Sequence, residues 1–213
     1  MSWLLLLALT AAPKPTAAVA GRVVVKNADG TAADNAGIVV YVTGFSEDPP
    51  AEHLKMWQRN RLFVPDVLPV TAGQTVDFTN DDVIWHNIFS VSKARAFDLG
   101  MTKKPETKAV TFTKTGVIDV YCNIHPQMVS TVLVLPNRAF AVTGSDGKYR
   151  IDNLPPGDYK IFAWSRRSDV QQRPLKAVAG PAQTLDWQLA QSATSPAHKD
   201  KYGREYKAGE THY

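Results

Sequence analysis

An all-β fold is what this sequence predicts, and three observations carry the prediction. Short β-branched runs recur along the chain, among them VVV at 23–25, VVYV at 39–42 and STVLVL at 130–135. Segments such as TVDFT (75–79) and VIDVY (117–121) alternate apolar and polar residues with period two, as half-buried strands do. Turn residues punctuate these runs, with 14 Pro and 13 Gly in 213 residues, and no heptad or low-complexity tract interrupts them.

The first segment reads as an export signal rather than as structure. Residues 3–12 (WLLLLALTAA) form an apolar run of ten, against the roughly 20 that span a bilayer. Ala18-Val19-Ala20 before Gly21 fits the small-x-small cleavage rule, so the cut is expected after Ala20 and the mature protein in the periplasm or outside the cell. No Lys or Arg precedes the run, which departs from the usual signal pattern, and a cut after Ala12 is disfavoured because Pro13 would follow it.

Residues 21–27 and 37–44 read as strands, with Ala28-Asp29-Gly30 as a turn between them. Residues 45–60, broken by Pro49-Pro50, read as a loop with a short helical turn at 51–58. Strands are expected at 63–70, 75–80, 83–90, 108–113, 116–122 and 130–135, with 91–107 a surface excursion. Beyond Pro136, residues 140–151 read as strand, tight turn and strand around Gly144-Ser-Asp-Gly147. Asn153-Leu-Pro-Pro-Gly157 is a second turn leading into 160–164, and 184–189 is a closing strand. The polar residues of 191–213 read as a flexible tail or an arm laid on the surface.

Composition excludes several function classes. With 24 Lys+Arg against 20 Asp+Glu the net charge is +4, mild and dispersed, which makes no case for nucleic acid. The single Cys rules out an internal disulfide, a four-thiolate cluster and a two-thiolate copper centre. The five histidines, at 53, 86, 125, 198 and 212, never form a His-x-His pair, which argues against a multicopper oxidase. A lone thiol in an oxidising compartment needs protection, and a metal would protect it.

The informative stretch is Cys122-Asn-Ile-His125-Pro126-Gln-Met128, lying between an expected strand and the next, with His86-Asn87 upstream. Together these supply a thiolate, two imidazoles and a thioether, the set a trigonal His2Cys copper site with a weak axial Met requires. Gln127 and Met101 are competing axial donors. A Cys122–His125 nucleophilic pair fits poorly, since no orienting group is evident. His53, His198 and His212 read as solvated surface.

In the order Phe63-Val-Pro, then 70–80 (VTAGQTVDFTN), then His86-Asn87, then the Cys122 loop, the segment 62–135 resembles a cupredoxin, the small blue copper fold. The short loop with Pro126 after the second histidine is most similar to the amicyanin branch, and the whole chain resembles bacterial plastocyanin-like and methylamine-utilisation proteins. The resemblance implies a Greek-key β-sandwich with His86, Cys122 and His125 as equatorial ligands of one copper ion and Met128 as the axial one. It implies that Asn87 helps tie the two ligand loops together and that His125 is the ligand nearest the surface. Pro126, lacking an N–H, cannot bond the Cys sulfur there.

Residues 21–44 and 137–190 resemble the two halves of a carboxypeptidase-regulatory-like (transthyretin-like) β-sandwich, which would leave 45–136 as a copper domain inserted between them. The rival is that the strand at 38–44 opens the cupredoxin sheet itself. Arg166, Arg167, Arg173 and Lys176 make the far end of the flanking module basic, either as solvated surface or as a docking patch for an acidic redox partner. The expected function is a periplasmic type 1 copper protein, not an enzyme. It would carry single electrons between redox proteins such as a dehydrogenase, cytochrome or oxidase. The rivals are a copper storage or delivery protein and a structural β module with a vestigial site.

Overall fold

The computed structural model of the chain describes residues 15–192 and 198–206, and within them every regular element is a strand. In chain order these are β1 (Ala17–Lys26), β2 (Val39–Thr43), β3 (Leu54–Arg59), β4 (Leu62–Val64), β5 (Val67–Thr71), β6 (Thr75–Asn80), β7 (His86–Ser90), β8 (Phe97–Thr102) and β9 (Thr107–Thr111). They continue as β10 (Gly116–Tyr121), β11 (Val129–Leu135), β12 (Phe140–Val142), β13 (Lys148–Leu154), β14 (Gly157–Ser165), β15 (Ser168–Ala177), β16 (Gln183–Thr184) and β17 (Trp187–Ala190). The expected all-β class holds.

The strands make two pairs of sheets. In one pair, the sheet β4-β3-β6-β9 faces β5-β11-β10-β7-β8 across Met56, Val76, Phe78, Ile88, Phe112, Ile118 and Val132. In the other, β13-β1-β16, with β17 also on β1, faces β12-β2-β14-β15 across Val23, Val40, Ile151, Ile161 and Trp187. Burial of such large apolar side chains, each worth about 1.5–3 kcal/mol, is what holds facing sheets together.

The seam between the two pairs explains an unusual strand. The run VSTVLVL in β11 has almost no polar alternation, and from Ser130 on every residue is buried. Val132 and Val134 join the first core, while Leu133 and Leu135 pack on Val39 and Val67, with Tyr41, Phe140 and Trp164 alongside. A strand covered on both faces reads as a continuous apolar run. β2 does the same from the other side: Val40 and Val42 enter the second core and Val39 the seam. The strand left open by the sequence therefore pairs with β12 and β14, and the chain leaves this sandwich after β2 and returns to it at β12.

Several local expectations change. The helical turn expected within 51–58 is instead β3, parallel to β6 and antiparallel to β4, with Met56 and Gln58 inward. Pairing on both edges overrides a segment with weak intrinsic β propensity. The surface excursion at 91–107 contains β8, an edge strand on β7. The strand expected at 63–70 is divided between β4 and β5, which lie in different sheets. β15, with Pro174 and mostly polar residues, was not anticipated; it is an edge strand on β14, where proline is tolerated.

The apolar run at 3–12 lies outside the described residues. Among the described residues no helix is long and apolar enough to cross a membrane. The expected cut after Ala20 falls inside β1, where Ala17 and Val19 are buried and pair with Leu154 and Ile151 of β13.

Candidate metal centre

The hairpin β10–β11 builds the centre. Its register runs from Gly116↔Val134 to Tyr121↔Val129, so Cys122 and Met128 are the next opposed positions, where the strands part into a loop. The loop closes on itself: the Cys122 N–H donates to the Met128 carbonyl (3.2 Å) and the Met128 N–H to the His125 carbonyl (3.0 Å). Opposed residues place their side chains on one face, and Cys122 and Met128 both join the first core. β7 lies beside β10, with Phe89 opposite Tyr121, which carries His86 to the same end of the sheet.

There the donors converge. Nδ1 of His86 lies 3.0 Å from Nδ1 of His125, and Sγ of Cys122 lies 3.6 Å from the latter. All three ligand atoms fall within 4.8 Å of one another, a group that could hold one metal ion. His86, Cys122 and Met128 are fully buried, and His125 is 6% exposed, so His125 alone of the four reaches solvent. Of the competing axial donors, Met101 is 43% exposed and Gln127 is also exposed.

The electrostatics suit a cation held by neutral and anionic donors. Burial, with the neighbouring His86 and Arg61, pushes the His125 pKa down to about 4. Burial also lowers His86, against the opposing pull of Asp82. Both imidazoles are thus neutral at pH 7 and offer lone pairs. Burial raises the Cys122 thiol, which disfavours a thiolate unless a cation compensates it. A thiol, two imidazoles and a thioether form a soft to borderline set, which fits copper better than calcium, magnesium or manganese.

One contributor had no role assigned from sequence. Asp82 accepts from Nε2 of His86 at 2.8 Å and from the backbone N–H groups of Asn60 (2.6 Å) and Arg61 (2.9 Å). A carboxylate on the far nitrogen fixes the ring so that the near one faces a metal. Burial alone would raise the Asp82 carboxyl, but these bonds hold it below its usual range. The only sequence signal is a carboxylate four residues before His86.

Asn87 links the ligand elements through its backbone N–H, which approaches Cys122 Sγ at 3.5 Å. Its side chain turns instead to Asp98 on β8, with Nδ2 donating at 2.9 Å. Asn87 Oδ1 is buried without a partner among the described residues. The Pro126 carbonyl is bonded by His198 Nε2 at 2.7 Å. His198, expected to be solvated, is half-buried and stacks on Tyr121, with ring centroids 4.2 Å apart. His53 pairs with Asp77 at the surface, and His212 lies outside the described residues. Arg173 stacks over Trp187 at 4.3 Å, so part of the basic group is engaged within its own module.

No family model matches the chain. An all-β protein with a buried His–Cys–His group is nevertheless similar to known copper proteins. It is 29% identical to amicyanin of Paracoccus versutus over 90 residues, 41% of this chain and 68% of that protein. Among solved structures it is similar to the purple cupredoxin of Nitrosopumilus maritimus, at 26% identity and TM-score 0.36, covering 38% of this chain and 99% of that one. It is also similar to the copper-containing nitrite reductase of Thermus scotoductus SA-01, at 25% identity and TM-score 0.39. That alignment covers 45% of this chain and spans a quarter (25%) of the reductase's length.

Proposed function

We propose that this chain is a periplasmic type 1 copper protein that carries single electrons between redox proteins. His86, Cys122, His125 and Met128 would hold the copper. The observation that carries the reading is the convergence of a thiol and two imidazoles, all buried, within 4.8 Å. The 29% identity to amicyanin over 90 residues supports it. Bound copper supplies one-electron cycling between Cu(I) and Cu(II).

This chain's own residues do the rest. Asp82 orients His86, the Asn87 N–H is directed at the Cys122 sulfur, and the β10–β11 hairpin holds Cys122 and Met128 at fixed separation. Donors placed by rigid strands keep one geometry in both oxidation states, which lowers reorganisation on each electron transfer. Water is kept from Cys122 and Met128 by complete burial. Val83 (93% exposed) and Trp85 (48%), on the segment leading into His86, would meet the partner. A delivery protein would keep exchangeable, exposed donors; those here are enclosed. The same reading treats 21–44 and 137–190 as one spacer module around the copper domain.

The test is a visible spectrum of the purified chain with Cu(II), beside Cys122→Ser. An intense thiolate-to-copper band, absent in the variant and bleached by mild reductant, is expected. A colourless protein, or weak absorption indifferent to the substitution, overturns the proposal.

A further inference from the structure

Residues 198–206 lie across the loop that carries Cys122, His125 and Met128. Three contacts fall on three residues of that loop. The Tyr206 hydroxyl donates to the Cys122 carbonyl at 2.8 Å, the Lys201 N–H donates to Asn123 Oδ1 at 3.0 Å, and His198 Nε2 meets the Pro126 carbonyl at 2.7 Å. The His198 ring stacks on Tyr121, immediately before Cys122, and the Tyr206 ring meets His198 edge-on at 5.1 Å. Lys201 Nζ reaches Asp98 at 2.7 Å, and Asp98 in turn accepts from the Asn87 side chain beside His86. The segment thus touches the neighbours of both donor-bearing elements.

It is also internally organised. Asp200 accepts from the backbone N–H groups of Tyr202 and Arg204, each at 2.9 Å, and from Arg204 Nε at 2.8 Å, which closes a compact turn. A segment ordered by its own bonds loses less entropy on docking than a free tail.

We propose that residues 198–206 are a clasp that holds the Cys122–Met128 loop closed over the donors, with His198 and Tyr206 as positioning residues. A hairpin loop with its carbonyls bonded from outside opens less often, and the donors within it keep their spacing. The idea that what is clasped is a metal loop rests on the function proposed above. The clasp itself can be tested without metal.

Cys122 is the only thiol and is fully buried, so its reaction with an aromatic disulfide reagent reports loop opening. The metal-free full chain is compared with one ending at Ser192, with Tyr206→Phe, and with His198→Ala and His198→Gln. Far-UV circular dichroism and the urea midpoint establish that each is folded. Losing three hydrogen bonds should speed the thiol reaction by about tenfold or more in the shortened chain. Tyr206→Phe, which removes one hydroxyl, should speed it by about fivefold. His198→Gln, which keeps a donor, should stay nearer the parent than His198→Ala.

With Cu(II) added, the shortened chain should show a shifted thiolate band and faster loss of copper to a chelator. Thiol rates within about twofold of the parent in the folded shortened chain overturn the clasp. If that chain does not fold, an unchanged rate in Tyr206→Phe overturns it equally. Absence of any thiolate–copper band in every variant sinks the copper reading, while the thiol rates still decide the clasp.

Discussion

Asp82→Ala is the most demanding substitution for the site as described. The carboxylate closes two structures at once. It caps the N–H groups of Asn60 and Arg61, whose positive φ values of 56° and 58° make the two-residue turn between β3 and β4. It also holds Nε2 of the fully buried His86. The turn is exposed, so water replaces part of what its two N–H groups lose, leaving about 1 kcal/mol each. The His86 ring has no such recourse, and stranding a buried donor costs about 1–3 kcal/mol. The sum is about 3–5 kcal/mol, a large share of the roughly 5–15 kcal/mol that holds a folded protein together. Urea unfolding of the metal-free protein reads this as a lower midpoint, and calorimetry as a fall in Tm of about 6–20 °C. Metal affinity, measured by chelator competition, should drop by about 10–100-fold because the ring loses its orienting partner. An Asp82→Ala protein within about 0.5 kcal/mol of the parent, with unchanged metal affinity, would refute the reasoning.

Met128→Leu separates packing from ligation: the volume-conserving swap should cost the metal-free protein under about 1.5 kcal/mol. It should nonetheless move the reduction potential and thiolate band of the copper form, and identical voltammetry and spectra would reduce the sulfur to filler. Glu47 tests linkage. Burial alone would raise its carboxyl, but the Arg138 N–H (2.8 Å) and Nε (3.1 Å) bonds more than reverse this, leaving it below its ordinary value. A depressed carboxyl stabilises above its unfolded pKa, and that contribution disappears as pH falls through the folded one. Glu47→Gln should therefore cost about 1 kcal/mol at pH 7 and progressively less as pH falls through the folded pKa, and a pH-independent difference in urea midpoints would contradict it. Finally, if the chain is exported as proposed and cut, N-terminal sequencing of the mature protein should find a start at or before Ala17. A start at Gly21 would discard the fully buried Val19, at a cost of about 1.5–3 kcal/mol for that side chain alone. Recovery of a stable chain beginning at Gly21 would show that β1 does not need those residues.

Legibility followed the range of the physics. The strands with β-branched alternation, 75–80, 116–121 and 129–135, could be read directly because burial of one or both faces leaves its period in the sequence. The four candidate donors were also visible, because the Cys122–Met128 loop is local and its spacing is a property of one hairpin. β3 and β15 were not legible: one carries Lys, Gln and Arg, the other two Gln and a Pro, and each is a strand only because a neighbour supplies its ladder. Asp82 was on the page as a residue, but its role depends on a turn 21 residues away bringing two N–H groups to it.

The sequence by itself determined the all-β class, the absence of an internal disulfide, and the thiol, imidazole and thioether set within one hairpin loop and one upstream strand. These are matters of composition, period and short-range spacing. Only the tertiary structure decided that β2 pairs with β12 and β14, that Leu133 and Leu135 seal a seam, that Asp82 orients His86, and that Tyr206 and His198 lie on the ligand loop. Such contacts join residues as far apart as Val39 and Trp164, and they depend on which faces meet after the sheets twist and pack. No local pattern of side chains encodes that choice.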